Sequence, residues 1–548
     1  MAEHDTLKAI QDCLDAQESF VVEAGAGSGK TRSLIETVQS LLSAKRLEFE
    51  KTNRKLVCIT FTNVAKNEII DRLNSDPLVL VDTIHEFLWK VIAPFQRELR
   101  LEVLAQNAAA KAPIEELDEL LKTQRITYGQ YGRHFDRGEL HHNDVISIAG
   151  ALFEKYPKIT RVAADQFPFI FVDEYQDTSQ TVVDLLLSYF VKNPRRPVVG
   201  FFGDSMQQIY DSNVTDVAGQ HGLSLITKVE NYRCSVAVIG VLNRLRADLT
   251  QEPTGANKPG NVHLMTSVGS APQAYEVAMK QLESEGWTLE NTKILMLTHK
   301  GIAREIGYTD LLAAFAQRSF GAEQLTERED EFGELFTFVE GLGRAYDGKR
   351  YGEFLNLLGQ SGVAIKSLSD KSEIAAEMAK LDEARESGTV SKVVEVLNDS
   401  PRIPLPRRMR KLLVRLAADP SEDDESFAKR RSSYEATLAV PWDRVEKFVD
   451  YADEHTPFST KHGVKGAEFE NVLVIVDDSL WNQYKFAQVF TDDHSNERRL
   501  QKSRKLLYVC FSRAMNGLAV LCLGSLSTDE IAGAEALLGV STVEVLPA

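Results

Sequence analysis

No two of the five cysteines (Cys13, Cys58, Cys234, Cys510 and Cys522) form a CxxC pair. That argues against a zinc site or a disulfide framework and suits a reducing cytoplasm. No apolar run reaches the roughly 18 residues that a membrane-spanning helix needs. The opening residues, MAEHDTLKAIQ, lack the basic-then-apolar order of a signal peptide. A cytoplasmic protein with no membrane attachment is expected. Positive charge is also scarce, because the formal net charge is −17. Broad adhesion to phosphate-rich polymers needs excess lysine and arginine, so any such contact is expected to line one groove. Basic residues gather at 402–415, 429–431 and 498–505, and each run reads equally well as a solvated helix face.

What is present is an ordinary globular composition, 43% apolar and 26% charged over 548 residues. Such a length suggests about three to five structural units. Near the start, the apolar run SFVV leads into AGAGSGKT (Ala24–Thr31) and then into the helical pattern RSLIETVQSLL. Strand, glycine-rich loop and helix in that order form a phosphate cradle. The glycines let several backbone N–H groups face one anion, and the helix N-terminus adds its positive dipole end. Lys30 is expected to reach the β- and γ-phosphates of ATP, and Thr31 to ligate Mg2+.

A second apolar strand, within FPFIFVDEYQDTS, ends on Asp173 and Glu174. Successive strand residues point to opposite sides, so Asp173 suits the metal shell and Glu174 the activation of the attacking water. A third, RPVVGFFGDSMQQIY, carries Asp204 and Gln207 just beyond its end, where open α/β sheets place their ligands. Gln207 is positioned to meet the γ-phosphate or the attacking water.

These blocks, taken with those that follow them, resemble the superfamily 1 helicases of the UvrD/Rep group. The resemblance runs from about Gln11 to Leu518, with close matches confined to the motifs. It implies an α/β fold of two RecA-like parallel-sheet domains, each with a helical insertion, and ATP bound between them. The nucleotide would be held by Gln11 and by Ala24, Gly25, Ala26, Gly27, Ser28, Gly29, Lys30, Thr31 and Arg32. Tyr232 would stack on the base, and Glu468 would hold the ribose. Lys30, Asp173, Glu174, Gln207, Arg233 and Arg513 would carry catalysis, with Arg513 as the arginine finger from the second domain. Thr31 and Asp173 would hold Mg2+. ITFTNVAKNEI and VDTIHEFL resemble strand-contacting motifs, implicating Phe61, Thr62, Asn63, Thr83 and His85. Tyr210, His462 and Lys465 complete the nucleic-acid set.

Some positions depart from the family pattern. Where a tryptophan usually follows the third motif, this chain has Tyr210-Asp211-Ser212-Asn213. A stacking aromatic contributes roughly 1–3 kcal/mol, so Tyr210, Phe61 or Trp481 must supply it or the grip is weaker. The fifth motif reads Lys461-His462-Gly463-Val464-Lys465-Gly466, with an added lysine. His141 and His142 stand without spaced partners and read as surface residues.

The expected organisation is a first RecA-like domain in two parts, 1–89 and 166–258, interrupted by a helical insertion at 90–165. The second occupies 259–321 and 446–548 around a reduced insertion at 322–445. That reduction makes the chain similar to the compact helicase subunits of Gabija anti-phage systems, which work with an OLD-family nuclease. About 30 residues follow the last motif, too few for a nuclease domain of its own. The resemblance implies an ATP-dependent 3′→5′ helicase or translocase on single-stranded or tailed duplex DNA, in repair or anti-phage defence. The alternative is a DNA-responsive ATPase subunit that activates a partner nuclease and unwinds little by itself. An RNA helicase is a third reading, because stacking tolerates either sugar.

Overall fold

The computed structural model describes residues 3–110, 113–129, 134–208, 217–267, 271–296, 298–318, 321–360, 367–420, 425–459, 467–480 and 484–546. The chain divides into two compact units. The first holds Met1–Val262, His494–Gly517 and Leu537–Gly539. The second holds His263–Asp493, Leu518–Ala536 and Val540–Ala548.

The first unit is built on six strands: β1 (Phe20–Ala24), β2 (Leu56–Thr60), β3 (Val79–Thr83), β4 (Phe169–Asp173), β5 (Val198–Gly203) and β6 (Ser224–Lys228). They lie in the order β3-β2-β4-β5-β1-β6, and every pair is parallel. Parallel sheets are covered on both faces, so their strands are apolar throughout. Here alternate residues serve opposite faces. Phe20, Val22, Phe171 and Phe202 join one core with the helices Glu3–Ala16 and Lys30–Thr52. Val21, Val57, Ile170, Val172 and Phe201 join another with the helices between β3 and β4. Those helices, including Ile84–Ile92, Gln96–Ala108, His142–Lys155 and Pro157–Gln166, form the helical insertion of this sheet.

The second unit repeats the plan. Its sheet is made of β7 (Asn261–Ser267), β8 (Thr292–Met296), β9 (Phe458–Ser459), β10 (Phe469–Val476), β11 (Ala514–Leu523) and β12 (Glu544–Val545), with the first residues of β7 and β11 grouping with the first unit. Their order is β9-β8-β10-β11-β7-β12. Helices fill the interval between β8 and β9, from His299–Ile306 to Trp442–Ala452, and share one apolar core with the sheet. Within that insertion the buried Glu340 carboxylate accepts both guanidinium bonds of Arg385 (3.0 Å each) and the indole N–H of Trp442 (2.7 Å). Pairing of this kind lets a charge lie inside a core. Two six-stranded parallel sheets with helical insertions are the two RecA-like domains expected.

The basic runs are largely occupied by structure. Arg402 pairs with Asp370 and Glu373, Arg410 bonds a backbone carbonyl, and Arg415 lies over the Phe427 ring. No helix among the described residues is long and apolar enough to cross a membrane.

Candidate functional site

The parallel register brings the carboxyl ends of β1, β4 and β5 together. Asp173 lies opposite Phe202, and Glu23 opposite Gly203. Beyond β1 the chain turns through Gly27 (φ 74°) and Gly29 (φ 76°) before the helix starts at Lys30. Both angles lie in the left-handed region that glycine enters without strain. A Cβ on Gly27 would also stand 2.7 Å from Asn231 Oδ1 and 2.8 Å from Arg233 Cβ. The loop is therefore fixed by backbone preference and by close packing.

Lys30 is buried, with Nζ 4.0 Å from Glu174 Oε1. Thr31 Oγ1 donates to Asp173 Oδ2 at 3.4 Å. Adjacent ligands of an octahedral Mg2+ stand about 3 Å apart when each bond is near 2.1 Å, so this hard-oxygen pair fits one edge of such a shell. Among the described residues no cluster of three or more His, Cys, Asp or Glu could hold a metal. Two protein oxygens also suit Mg2+, which keeps several of its waters. Burial, then the charge of neighbouring Glu174, holds the Asp173 carboxyl above its usual range. A bound cation would draw it back down. Glu174 itself sits at φ 49°, and Gln176 Nε2 donates to its Oε2 at 2.5 Å.

Just past β5, Gln207 is gripped at both ends of its amide. Nε2 donates to Asp204 Oδ2 at 2.8 Å, and Oε1 accepts from Arg513 Nη2 at 3.0 Å. Arg513 is only 1% exposed, and its Nε is held by the Val509 carbonyl at 3.0 Å. Burial, then the like charge of Arg233, lowers its pKa to about 10, while Glu174 opposes the shift. Arg233 and Arg513 thus lie close enough for their like charges to act on each other. The segment carrying Arg513, His494–Gly517, groups with the first unit, whereas the motif order had assigned it to the second domain. The helix Glu497–Phe511 packs on the Ser205–Gln207 turn, which explains the difference.

Sequence reading missed the groups behind the loop. Tyr508, Arg246, Gln251, Asn231 and Glu23 surround Ala26 and Asp204. Gln251 and Asn231 both donate to the Ala26 carbonyl, at 2.8 and 2.9 Å. Arg246 pairs with Asp204 (3.2 Å) and Asp248 (2.7 Å), and lies 3.7 Å from Glu23. Burial and the charge of Asp204 raise the Glu23 pKa, although Ser205 N–H and Tyr175 OH both donate to its carboxylate. The only local signal was Tyr508, which stands inside the sixth motif.

On the base side, Gln11 donates to Asp15 (2.9 Å) and accepts from Ser40 (3.3 Å). Arg32 pairs with Glu36 at 2.8 Å. Tyr232 is 38% exposed, and its N–H donates to the Gly27 carbonyl at 2.9 Å. Glu468 belongs to the second unit, where it lines a groove of about 600 Å³ with Lys293, His455 and Phe469.

Among the strand-contact candidates, Phe61 is 45% exposed at the end of β2, so it is not core. Asn63 opens the following helix, and Thr62 caps it by accepting Ala65 N–H at 3.2 Å. Thr83 forms a capping box with Glu86, which commits its hydroxyl to helix initiation. The half-buried His85 ring packs edge-on to His142, with centroids 4.7 Å apart. Burial, then His142 and His141, lowers its pKa to about 4. His141 and His142 are thus half-buried rather than the surface pair expected. Tyr210, His462, Lys465 and Trp481 lie outside the described residues.

Comparison with known proteins matches this arrangement. A family model described as an AAA domain matches residues 6–213. The Gabija protein GajB of Bacillus cereus is 24% identical, with 96% of each chain covered. The ATP-dependent DNA helicase PcrA of Staphylococcus aureus is 23% identical over 90% of this chain and 80% of its own length. PcrA of Staphylococcus epidermidis matches to the same extent. With ordered motifs, two six-stranded RecA-like sheets and likeness along nearly its whole length, the chain resembles the UvrD/Rep-like superfamily 1 helicases, in a compact form similar to GajB.

Proposed function

We propose that the chain is an ATP-dependent 3′→5′ helicase or translocase that moves on single-stranded DNA, acting in the cytoplasm in repair or anti-phage defence. The observation that carries the ATPase is Arg513. Its guanidinium, buried and reached by the like charge of Arg233, donates to Gln207 Oε1 just beyond the carboxyl ends of the strands, where it can stabilise charge developing on the terminal phosphate of ATP.

In this reading Lys30 neutralises the β- and γ-phosphate oxygens, and the backbone of residues 24–31 cradles them. Thr31 and Asp173 hold Mg2+, which supplies charge neutralisation at the phosphates when bound. Glu174 accepts a proton from the attacking water, Gln207 orients that water, and Arg233 and Arg513 stabilise charge on the transferring phosphoryl group. Gln11, Arg32, Tyr232 and Glu468 hold the base and ribose. Phe61, Thr62, Asn63, Thr83 and His85, with Tyr210, His462 and Lys465, contact the strand. RecA-like domains at 1–89 with 166–258 and at 259–321 with 446–548 would alternate their grip as the nucleotide turns over.

A second reading is favoured by the likeness to GajB over 96% of both chains together with the −17 net charge. The chain would then be a DNA-responsive ATPase that activates an OLD-family nuclease partner and unwinds little alone.

The test is ATP turnover by the purified chain and by Lys30→Ala with single-stranded DNA, duplex DNA and RNA at two salt concentrations. Strand separation is then measured on 3′- and 5′-tailed duplexes. Stimulation by single-stranded DNA that weakens with salt, loss in Lys30→Ala, and unwinding only from the 3′ tail are expected. Near-normal turnover in Lys30→Ala overturns the site. Stimulation without unwinding selects the second reading.

A further inference from the structure

Arg246 lies outside every motif the sequence displays, yet its side chain is wholly buried against the back of the phosphate loop. Its partner Tyr508 is equally buried. The Tyr508 hydroxyl accepts from Ala26 N–H at 3.1 Å and from Arg246 Nη1 at 2.9 Å, and donates to Asp204 Oδ2 at 3.2 Å. A hydroxyl has one proton to give and two lone pairs; a second acceptor, Gln251 Oε1, lies farther off at 3.5 Å, so the proton is drawn to the nearer carboxylate and these three bonds saturate the hydroxyl.

From Asp204 the path continues. The same Oδ2 accepts from Gln207 Nε2, and Gln207 Oε1 accepts from Arg513 Nη2. The direction of each bond follows from the one before it. Because Asp204 is acceptor-only when ionised, it takes the NH2 end of the Gln207 amide, which turns the carbonyl end to Arg513. Arg246 bridges Asp204 and Asp248. Four hydrogen bonds thus run from the loop backbone to Arg513. Lys505, one helical turn before Tyr508, adds a bond to Gln208 at 2.5 Å, so three side chains of residues 505–513 grip one short turn.

We propose that Tyr508, held by Arg246, is a positioning residue that couples the pose of the phosphate loop to Arg513 through Asp204 and Gln207. This rests on the ATPase reading above. Any displacement of Ala26 on nucleotide entry changes the load on a saturated hydroxyl and is passed to the Gln207 amide. A chain of this kind is cooperative, and its members act as a unit rather than as independent contributors.

The experiment is a double-mutant cycle on the full chain, with single-stranded DNA saturating. Variants Tyr508→Phe, Arg513→Lys and the pair are compared by kcat and KM for ATP, with thermal unfolding as a check on folding. Tyr508→Phe keeps the ring over the Arg246 guanidinium and removes only the hydroxyl. The expected result is a fall in kcat of about 10-fold with KM changed less than about 3-fold, and a double variant no slower than Arg513→Lys alone within about 2-fold. A double variant whose loss is the product of the two single losses overturns the coupling, as does Tyr508→Phe with wild-type kcat. Should Tyr508→Phe not fold, Arg246→Lys runs the same cycle, because a lysine keeps the charge but not the fork that serves Asp204 and Tyr508 together. Lys30→Ala separates the two claims. Full turnover in it removes the ATPase reading itself, whereas a dead Lys30→Ala with a multiplicative cycle removes only the coupling.

Discussion

Arg513 Nη2 donates to Gln207 Oε1 at 3.0 Å, so the two groups proposed to meet the terminal phosphate hold each other. Neither is solvated, and each gives up a good hydrogen bond only for a better partner. For Arg513 that partner is a phosphate oxygen, since both ends of the bond are then charged; for the Gln207 carbonyl oxygen it is a donor such as water.

Arg513→Lys retains the charge but loses the planar fork that Gln207, Val509 and a phosphate share. Turnover is expected to fall by about 10³-fold, the scale of an arginine finger, with nucleotide affinity changed only several-fold. Steady-state ATPase and fluorescent-nucleotide titration measure the two. A loss of less than about 10-fold in turnover would remove Arg513 from the chemistry.

Glu174→Gln keeps the bond from Gln176 sterically feasible while removing the proton acceptor. Nucleotide should bind and remain uncleaved. Filter binding with labelled ATP, followed by chromatography of the bound label, reads both. Release of diphosphate at the wild-type rate would assign water activation elsewhere.

Asp173 gives a pH prediction. Its carboxyl is raised in the folded chain, by burial first and by Glu174 second. A raised group contributes stability that is full below its unfolded value of about 4 and is lost as pH rises through the folded value. Above that, the buried carboxylate is a cost. Asp173→Asn should therefore raise the unfolding temperature of the nucleotide-free protein at about pH 8, by an amount that shrinks toward about pH 5. A pH-independent difference in differential scanning fluorimetry would show that the charge is not the cause.

Phe61→Ala removes an exposed ring and no charge. Stacking accounts for roughly 1–3 kcal/mol per base, so affinity for single-stranded DNA should weaken by about 10-fold. The slope of log K against log salt should stay unchanged, because no phosphate contact is lost. Anisotropy titrations at several salt concentrations check both. A changed slope would mean that the substitution disturbed neighbouring basic groups instead.

The phosphate loop and strand-end acids were legible because their chemistry is local. Glycines at fixed spacing, followed by a helix, leave the backbone few alternatives, and Asp173 and Glu174 are adjacent. The sheets were legible for the same reason, as apolar runs of strand length. What escaped was set by distance along the chain. Ala26 and Tyr508 are separated by 482 positions, and no pattern near either says that they meet. Arg246 stands outside every motif that the sequence displays. The run at 498–505 reads equally well as a phosphate contact or a solvated face, whereas Lys505 turns inward to Gln208. Thr83 was legible as a motif residue but not as a helix cap, since both readings use the same hydroxyl. Whether Phe61 is core or surface is decided only by tertiary packing, which leaves it exposed.

The backbone at Glu174 carries a further consequence. At φ 49° this residue occupies a conformation that costs a side-chain-bearing residue roughly 1–2 kcal/mol and costs glycine almost nothing. The fold alone would be better served by glycine there, and a selection for heat resistance with no demand for turnover should drift toward it. With Glu174 proposed as the group that activates water, a glutamate at this angle is where stability and activity would pull in opposite directions. Thermostabilising designs of this chain should leave residue 174 untouched and seek their gains elsewhere.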